Sequence, residues 1–131
     1  MPQLAKGGKW VFGWTVVGPD GVAPIPPAAF DEYGFQPGEP VIFLRGSKRS
    51  GGAGVARRET LNWCRVPLFK RAFGESVIDK NRRVIFPPRA GFREGERLLV
   101  VRGSGWALGF VQRGPIYEEA LRHPELEVFS A

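Results

Sequence analysis

Cysteine is nearly absent from this chain of 131 residues: Cys64 stands alone, so neither a disulfide framework nor a thiolate metal site can be assembled. Set beside Trp63 in an apolar stretch, Cys64 reads as a buried, inert side chain rather than a nucleophile. Histidine is equally scarce. His123 precedes a proline near the end of a predicted helix, and the sequence supplies no partners for base catalysis or metal ligation. It reads as a cap on the helix C-terminus. The adjacent pairs Asp31-Glu32 and Glu118-Glu119 point to different sides of a helix, so they form no carboxylate dyad. No Gly-Lys-Ser/Thr ending follows the glycine-rich stretch, which excludes a nucleotide P-loop. No apolar run approaches the roughly 20 residues that span a bilayer. The opening MPQLAKGGKW lacks an apolar core of signal-peptide length, which predicts a cytoplasmic protein without membrane contact. These absences predict a protein that is not an enzyme and carries neither cofactor nor metal.

What the chain has in excess is glycine (18), proline (12) and positive charge (+6 net). The glycines and prolines fall between apolar runs, which predicts many short strands and turns. The charge is segregated. Residues 1–44 net −2, residues 45–113 net +11 and residues 114–131 net −3. A basic centre between mildly acidic ends fits a polyanion-binding face, the plainer alternative being arginines that serve solubility. Trp10, Trp14, Trp63 and Trp106 offer faces for stacking on bases, but aromatic residues in strands usually fill the core: Trp14 reads as core, while Trp106, set among glycines and a serine, is the weaker core candidate.

The sequence also repeats itself. VIFL-Arg45-Gly46-Ser47 recurs as LLVV-Arg102-Gly103-Ser104, and the match extends both ways. At an offset of 61, Phe12-Gly13, Val16 and Pro26-Pro27 meet Phe73-Gly74, Val77 and Pro87-Pro88. At 57, Gly34-Phe35 and Gly38-Glu39 meet Gly91-Phe92 and Gly95-Glu96; at 55, Gly54 and Arg58 meet Gly109 and Arg113. Chance would supply about three or four identities over such a span; 14 are found. The chain is a tandem duplication, with repeat one at 9–58, repeat two at 70–113, and a helix and tail at 114–131.

Each unit reads as a strand, a turn (Pro19-Asp20-Gly21, or around Asn81), a short extended piece, a double proline, a helical stretch, and two further strands joined at Arg-Gly-Ser. AAFDEYGF predicts about two helical turns stopped by Gly34, whereas RAGF, four residues shorter, leaves a single turn at most. Residues 59–71 connect the units and hold a helical turn. GPIYEEALRHPELEVF predicts a helix starting at Pro115 and closed by His123-Pro124, then a short strand through Leu126 and Val128. One unit cannot bury both faces of its strands; two interlocked units predict a closed barrel without free edges.

This order, with Asp20-Gly21 and Asn81-Arg82 at the turns, Ile25-Pro26 and Phe86-Pro87 at the proline step, and GFQPGE and GFREGE before the third strand, resembles the AbrB/MazE/SpoVT family of swapped-hairpin barrels. The resemblance covers residues 10–45 and 71–102. It implies a mainly β fold, an AbrB-like swapped-hairpin barrel built as an intramolecular pseudo-dimer, with the chain a monomer or a homodimer. It also implies binding of double-stranded DNA, as in transcriptional regulators or self-repressing antitoxins, by cations in the first strand (here Lys70 and Arg71, just before it), in the turn and after the proline step. Carried over, these are Lys70, Arg71, Lys80, Arg82, Arg83 and Arg89 of the second unit. The first unit departs from the pattern, with Asp20 in its turn and Ala28, Ala29 and Asp31 after its prolines, so only one reading face is expected.

A second basic cluster, Arg45, Lys48, Arg49, Arg57 and Arg58 in RGSKRSGGAGVARR, reads either as a mobile loop that follows a phosphate backbone or as a disordered surface loop kept soluble by its charge. The rival reading of the whole chain is a protein-interaction module, antitoxin-like or a scaffold, docking a partner on its acidic first repeat or C-terminal helix. For an enzyme or small-ligand binder at the barrel mouth near Ser47 and Ser104, the side-chain inventory supplies no catalytic chemistry.

Overall fold

A computed structural model of the protein describes residues 3–4, 9–62, 70–104 and 106–130. Cys64, Trp63 and most of the connector between the repeats lie outside the described residues. The fold is mainly β. Its strands are β1 (Gln3–Leu4), β2 (Lys9–Val16), β3 (Val22–Pro24), β4 (Pro40–Arg45), β5 (Ala53–Arg57), β6 (Ala72–Val77), β7 (Arg83–Ile85), β8 (Arg97–Ser104), β9 (Ala107–Val111) and β10 (Val128–Phe129). Two helices, α1 (Pro27–Tyr33) and α2 (Pro115–Ala120), and single 3-10 turns at Pro19–Gly21, Arg58–Asn62 and Pro88–Ala90 complete it. Among the described residues no helix is long and apolar enough to cross a membrane.

The main sheet runs β1-β2-β8-β9-β5-β4-β6, with β10 added in parallel to β2; β3 and β7 pair only with each other. The two units exchange strands reciprocally. β2 of the first pairs with β8 of the second, and β6 of the second pairs with β4 of the first. The registers match residue for residue: Val16↔Arg97 has its counterpart in Pro40↔Val77, and both ladders slip at the same place, between Val11 and Gly13 and between Phe43 and Leu44. Ala23↔Val84 and Gly54↔Gly109 each pair a residue with its own counterpart, so a quasi-two-fold relation passes through both contacts.

The expected closed barrel does not form. The sheet ends at β6, and no described strand joins that strand back to the β2 side. The double prolines supply the physical reason: lacking N–H donors, Pro26-Pro27 and Pro87-Pro88 stop β3 and β7 after three residues each. The short β3–β7 ribbon then seals the centre from outside the ladder. Its Ala23 and Val84 are fully buried in one apolar core with Phe35, Phe43, Val100 and Phe110, drawn from both repeats.

Strand alternation also builds an outer face. Val41, Phe43 and Val55 point into the shared core, while Ile42, Leu44 and Ala56 form a second cluster on the other side. α2 covers the quasi-equivalent patch around Trp14, Leu99 and Val101. Burial on both faces explains why VIFL and LLVV are continuously apolar rather than alternating.

The helices follow the sequence closely. Pro27 opens α1, which carries no N–H to waste at its first turn, and Gly34 ends it in the left-handed region (φ 70°). The second unit keeps only the turn Pro88–Ala90, closed by Gly91 at φ 73°. α2 stops at Ala120, short of the expected end at His123. His123 caps no carbonyl with its side chain; its ring bridges Glu125 (2.7 Å) and Glu119 (3.0 Å). The first Arg-Gly-Ser ends a strand at Arg45, as expected, whereas β8 continues through the second to Ser104.

Candidate nucleic-acid interface

The turn between β6 and β7 is the most organised of the predicted cationic segments. Asp79 accepts hydrogen bonds at one carboxylate oxygen from the backbone N–H groups of Asn81 (2.8 Å) and Arg83 (2.9 Å), and at the other from Arg83 Nε (2.8 Å). An aspartate that bonds its own backbone two residues on is the standard way to fix a tight turn. Burial works against the charged form, but these donors hold the Asp79 carboxyl below the usual carboxylate range. Backbone bonds from Arg82 N to Asp79 O and from Asp79 N to Arg83 O close the loop.

Within this frame Arg82 sits at φ 62°, in the left-handed region that favours glycine. Its counterpart in the first unit is Gly21, at φ 80°. The Arg82 carbonyl accepts from Ile25 N (3.2 Å), as the Gly21 carbonyl accepts from Phe86 N (2.9 Å). Its guanidinium lies over the Phe30 ring, 5.1 Å from the centroid. Lys80 and Arg82 are exposed and form no ion pair with a described residue. Arg83 differs: its pairing with Asp79 (2.8 Å) commits it to holding the turn.

The remaining predicted residues divide into three groups. Lys70 and Arg71 are exposed at the start of β6, at the opposite end of that strand from Lys80. A six-residue strand covers roughly 20 Å, about the rise of six base pairs, so both ends of β6 can face one duplex. Arg89 is exposed in the turn after β7. Lys48 and Arg49 are exposed in the β4–β5 loop, which lies next to Arg71 because Arg71 Nη2 donates to the Arg45 carbonyl (2.9 Å). Arg57 and Arg58 do not belong with them. They close β5 at the other end of the hairpin, where Arg57 pairs with Glu39 (2.9 Å) and Glu59 (3.0 Å) and Arg58 faces Glu75 (3.8 Å). Strand direction separates them from Lys48 and Arg49 despite the short stretch of sequence between.

Nor is the glycine-rich loop loose. Gly51 N donates to Ser47 O, Ser50 N to Ser47 Oγ, and the backbone N–H groups of Gln112 and Arg113 both donate to Ser50 O. Arg113 Nη2 adds a bond to Lys48 O (2.9 Å). Gly52 (φ 70°) is required there, since a Cβ would lie 1.9 Å from the Phe110 carbonyl oxygen.

Sequence reading missed one contact between the repeats. Arg102 donates from Nε and Nη2 to the Glu32 carboxylate of α1, a two-pronged pair that lowers the Glu32 pKa and raises that of Arg102. Next to it, Tyr33 donates to the Ala107 carbonyl (3.1 Å), and burial pushes its hydroxyl up to about 12. Arg45, the counterpart of Arg102, pairs with no described carboxylate, because the second unit lacks the helical turn that would carry one. The signal was the four-residue deletion itself. No family model matches the chain, and no curated protein is similar to it. Among the described residues no cluster of histidine, cysteine or carboxylates could hold a metal ion.

Proposed function

We propose that the chain is a tandem AbrB-like swapped-hairpin protein that binds duplex DNA through the hairpin of its second repeat. The reciprocal strand exchange between the repeats supports the fold part of this reading. The observation that carries the functional part is the pair of quasi-equivalent turns. One is Pro19-Asp20-Gly21, which is acidic, places Asp20 (φ 59°) as well as Gly21 (φ 80°) in the left-handed region, and has glycine at the position equivalent to Arg82. The other is Lys80-Asn81-Arg82, which sets an exposed arginine at that corner at a conformational cost of about 1–2 kcal/mol. The fold needs no side chain there, since glycine serves in the first unit; a cation held at φ 62° on a braced turn fits phosphate binding.

In this reading Lys80 and Arg82 grip phosphates at one end of β6, Lys70 and Arg71 at the other, and Arg89 beside them, with Lys48 and Arg49 extending the contact. Arg83 positions the turn. Arg57 and Arg58, already paired with carboxylates, are peripheral. Five primary contacts give a log–log dependence of affinity on salt with slope about −4.5. Fluorescence anisotropy on a mixed-sequence duplex at increasing salt tests this. Substituting Lys80 and Arg82 together by glutamine should weaken binding and flatten the slope by about two. Absence of duplex binding at low salt, or an unchanged slope in the double variant, overturns the reading.

The interaction-module reading has its own observation: Leu121 and Val128 are about half exposed next to Glu118, Glu125 and Glu127. A stoichiometric protein partner that survives nuclease treatment and is lost on Leu121→Lys would favour it.

A further inference from the structure

At the centre of the outer face two glycines meet. Gly54 of β5 and Gly109 of β9 are direct register partners, so the sheet carries no side chain between the Leu44–Ala107 cluster and Val101. A Cβ on Gly54 would make ordinary contacts at 3.6–3.7 Å with Ala107 and Leu44, so the backbone there does not demand glycine. What its absence leaves is a cleft of about 280 Å3 between the β4–β5 and β8–β9 loops, the size of the smallest ligand pockets.

The cleft has a definite chemistry. Trp106, half-buried, forms one wall. Arg71 stands at the rim, held by the single bond from Nη2 to the Arg45 carbonyl; a guanidinium has five donors, and Arg71 forms no ion pair with a described residue. The Ser47 hydroxyl accepts from Ser50 N (3.0 Å), which leaves its own hydrogen to donate. No carboxylate lines the cleft among the described residues, and Lys48, Arg49 and Lys70 flank it in sequence. A flat apolar floor, an indole wall and a cationic rim suit a ligand with a planar ring and an anionic group.

We infer that this cleft binds one nucleotide unit, its base against Trp106 and the glycine floor and its phosphate on Arg71 and Ser47. The site does not rest on the duplex-binding reading: the braced turn with Lys80 and Arg82 lies at the far end of β6, and of the groups that hold the nucleotide only Arg71 is also assigned to duplex phosphates. The nucleotide is either free or part of a single strand. Calorimetric titration therefore uses adenosine monophosphate and a short 5′-phosphorylated strand of deoxyadenosines, with adenosine and inorganic phosphate as the separated halves. Binding of adenosine monophosphate at up to millimolar concentration, tighter than either half, supports the proposal and identifies a free nucleotide. Binding of the strand alone supports it with the strand as source. Gly54→Leu, which fills the floor, should abolish binding, and Trp106→Ala should weaken it at least fivefold, the low end of what base stacking contributes. Arg71→Gln should remove the advantage of adenosine monophosphate over adenosine. If Gly54→Leu fails to fold, Trp106→Ala decides. Binding of neither probe, affinity unchanged in Trp106→Ala, or inorganic phosphate matching adenosine monophosphate overturns the proposal. Duplex affinity measured on the same variants should stay within twofold for Trp106→Ala, which separates this site from the β6–β7 turn.

Discussion

The two repeats place the same backbone in the same ladders and then use it differently. The first keeps a seven-residue helix, an acidic turn and a carboxylate, Glu32, that reaches across to neutralise Arg102. The second cuts the helix to one turn, sets one cation, Arg82, in the corner its sister gives to Gly21, and leaves Arg45 without a described carboxylate. The difference teaches that the strands carry the fold jointly, while charge and helix length were free to diverge once one chain held both halves. A symmetric assembly of separate units must keep both faces alike; a fused pair is released from that constraint.

The strongest test of joint folding removes a residue both halves share. Phe43 of β4 is fully buried, its ring centroid 6.2 Å from that of Phe73 and 5.5 Å from that of Phe86 in the second unit. Phe43→Ala should cost about 3–5 kcal/mol in denaturant unfolding, with one cooperative transition retained. Two separate transitions in the wild type would mean that the repeats are independent, and the comparison would break.

A smaller effect sharpens the contrast between the turns. A Cβ on Gly21 would lie 2.5 Å from the Phe86 carbonyl oxygen at φ 80°, so Gly21→Ala should destabilise by about 1–3 kcal/mol. Arg82→Gly relieves the left-handed strain but frees the unfolded chain and loses the Phe30 contact, so its stability should stay within about 1 kcal/mol of wild type. Equal losses in thermal or denaturant unfolding would show that the two corners are not equivalent positions. The same Arg82→Gly protein should bind duplex DNA more weakly.

The smallest effect concerns the tail, which only the first unit's edge strand receives. Hydrogen bonds to Glu125 and then Glu119 raise the pKa of the half-buried His123. A raised folded-state value means that this contribution is fully present below the unfolded value of about 6.5 and is lost as pH rises through the folded one. The difference in melting temperature between wild type and His123→Gln should therefore be larger near pH 5.5 than near pH 8. A pH-independent difference would remove His123 from the tail's attachment.

Much of the architecture was legible because duplication leaves its own alignment. The turns, the double prolines, the stop at Gly34 and the shortened second helix were all readable from residue type and spacing. Openness of the sheet was not: the double prolines that cut β3 and β7 short were visible, but the strand residues themselves do not say whether the last edge meets the first. Of the candidate site, the cations of the β6–β7 turn stood where the motif put them. The split between Lys48-Arg49 and Arg57-Arg58 was hidden, because nearness in sequence says nothing about which end of a hairpin a residue occupies.

By itself, then, the sequence determined the duplication, the strand-and-turn character of each unit and the concentration of cations in the second, all consequences of local chemistry and spacing. Only the tertiary structure decided which cations keep their charge unpaired, because that depends on carboxylates the fold brings to them: Glu39 to Arg57 within the first repeat, and Glu75 to Arg58 and Glu32 to Arg102 across the two repeats. It alone also set Gly54 against Gly109 and so opened a cleft whose walls lie far apart along the chain.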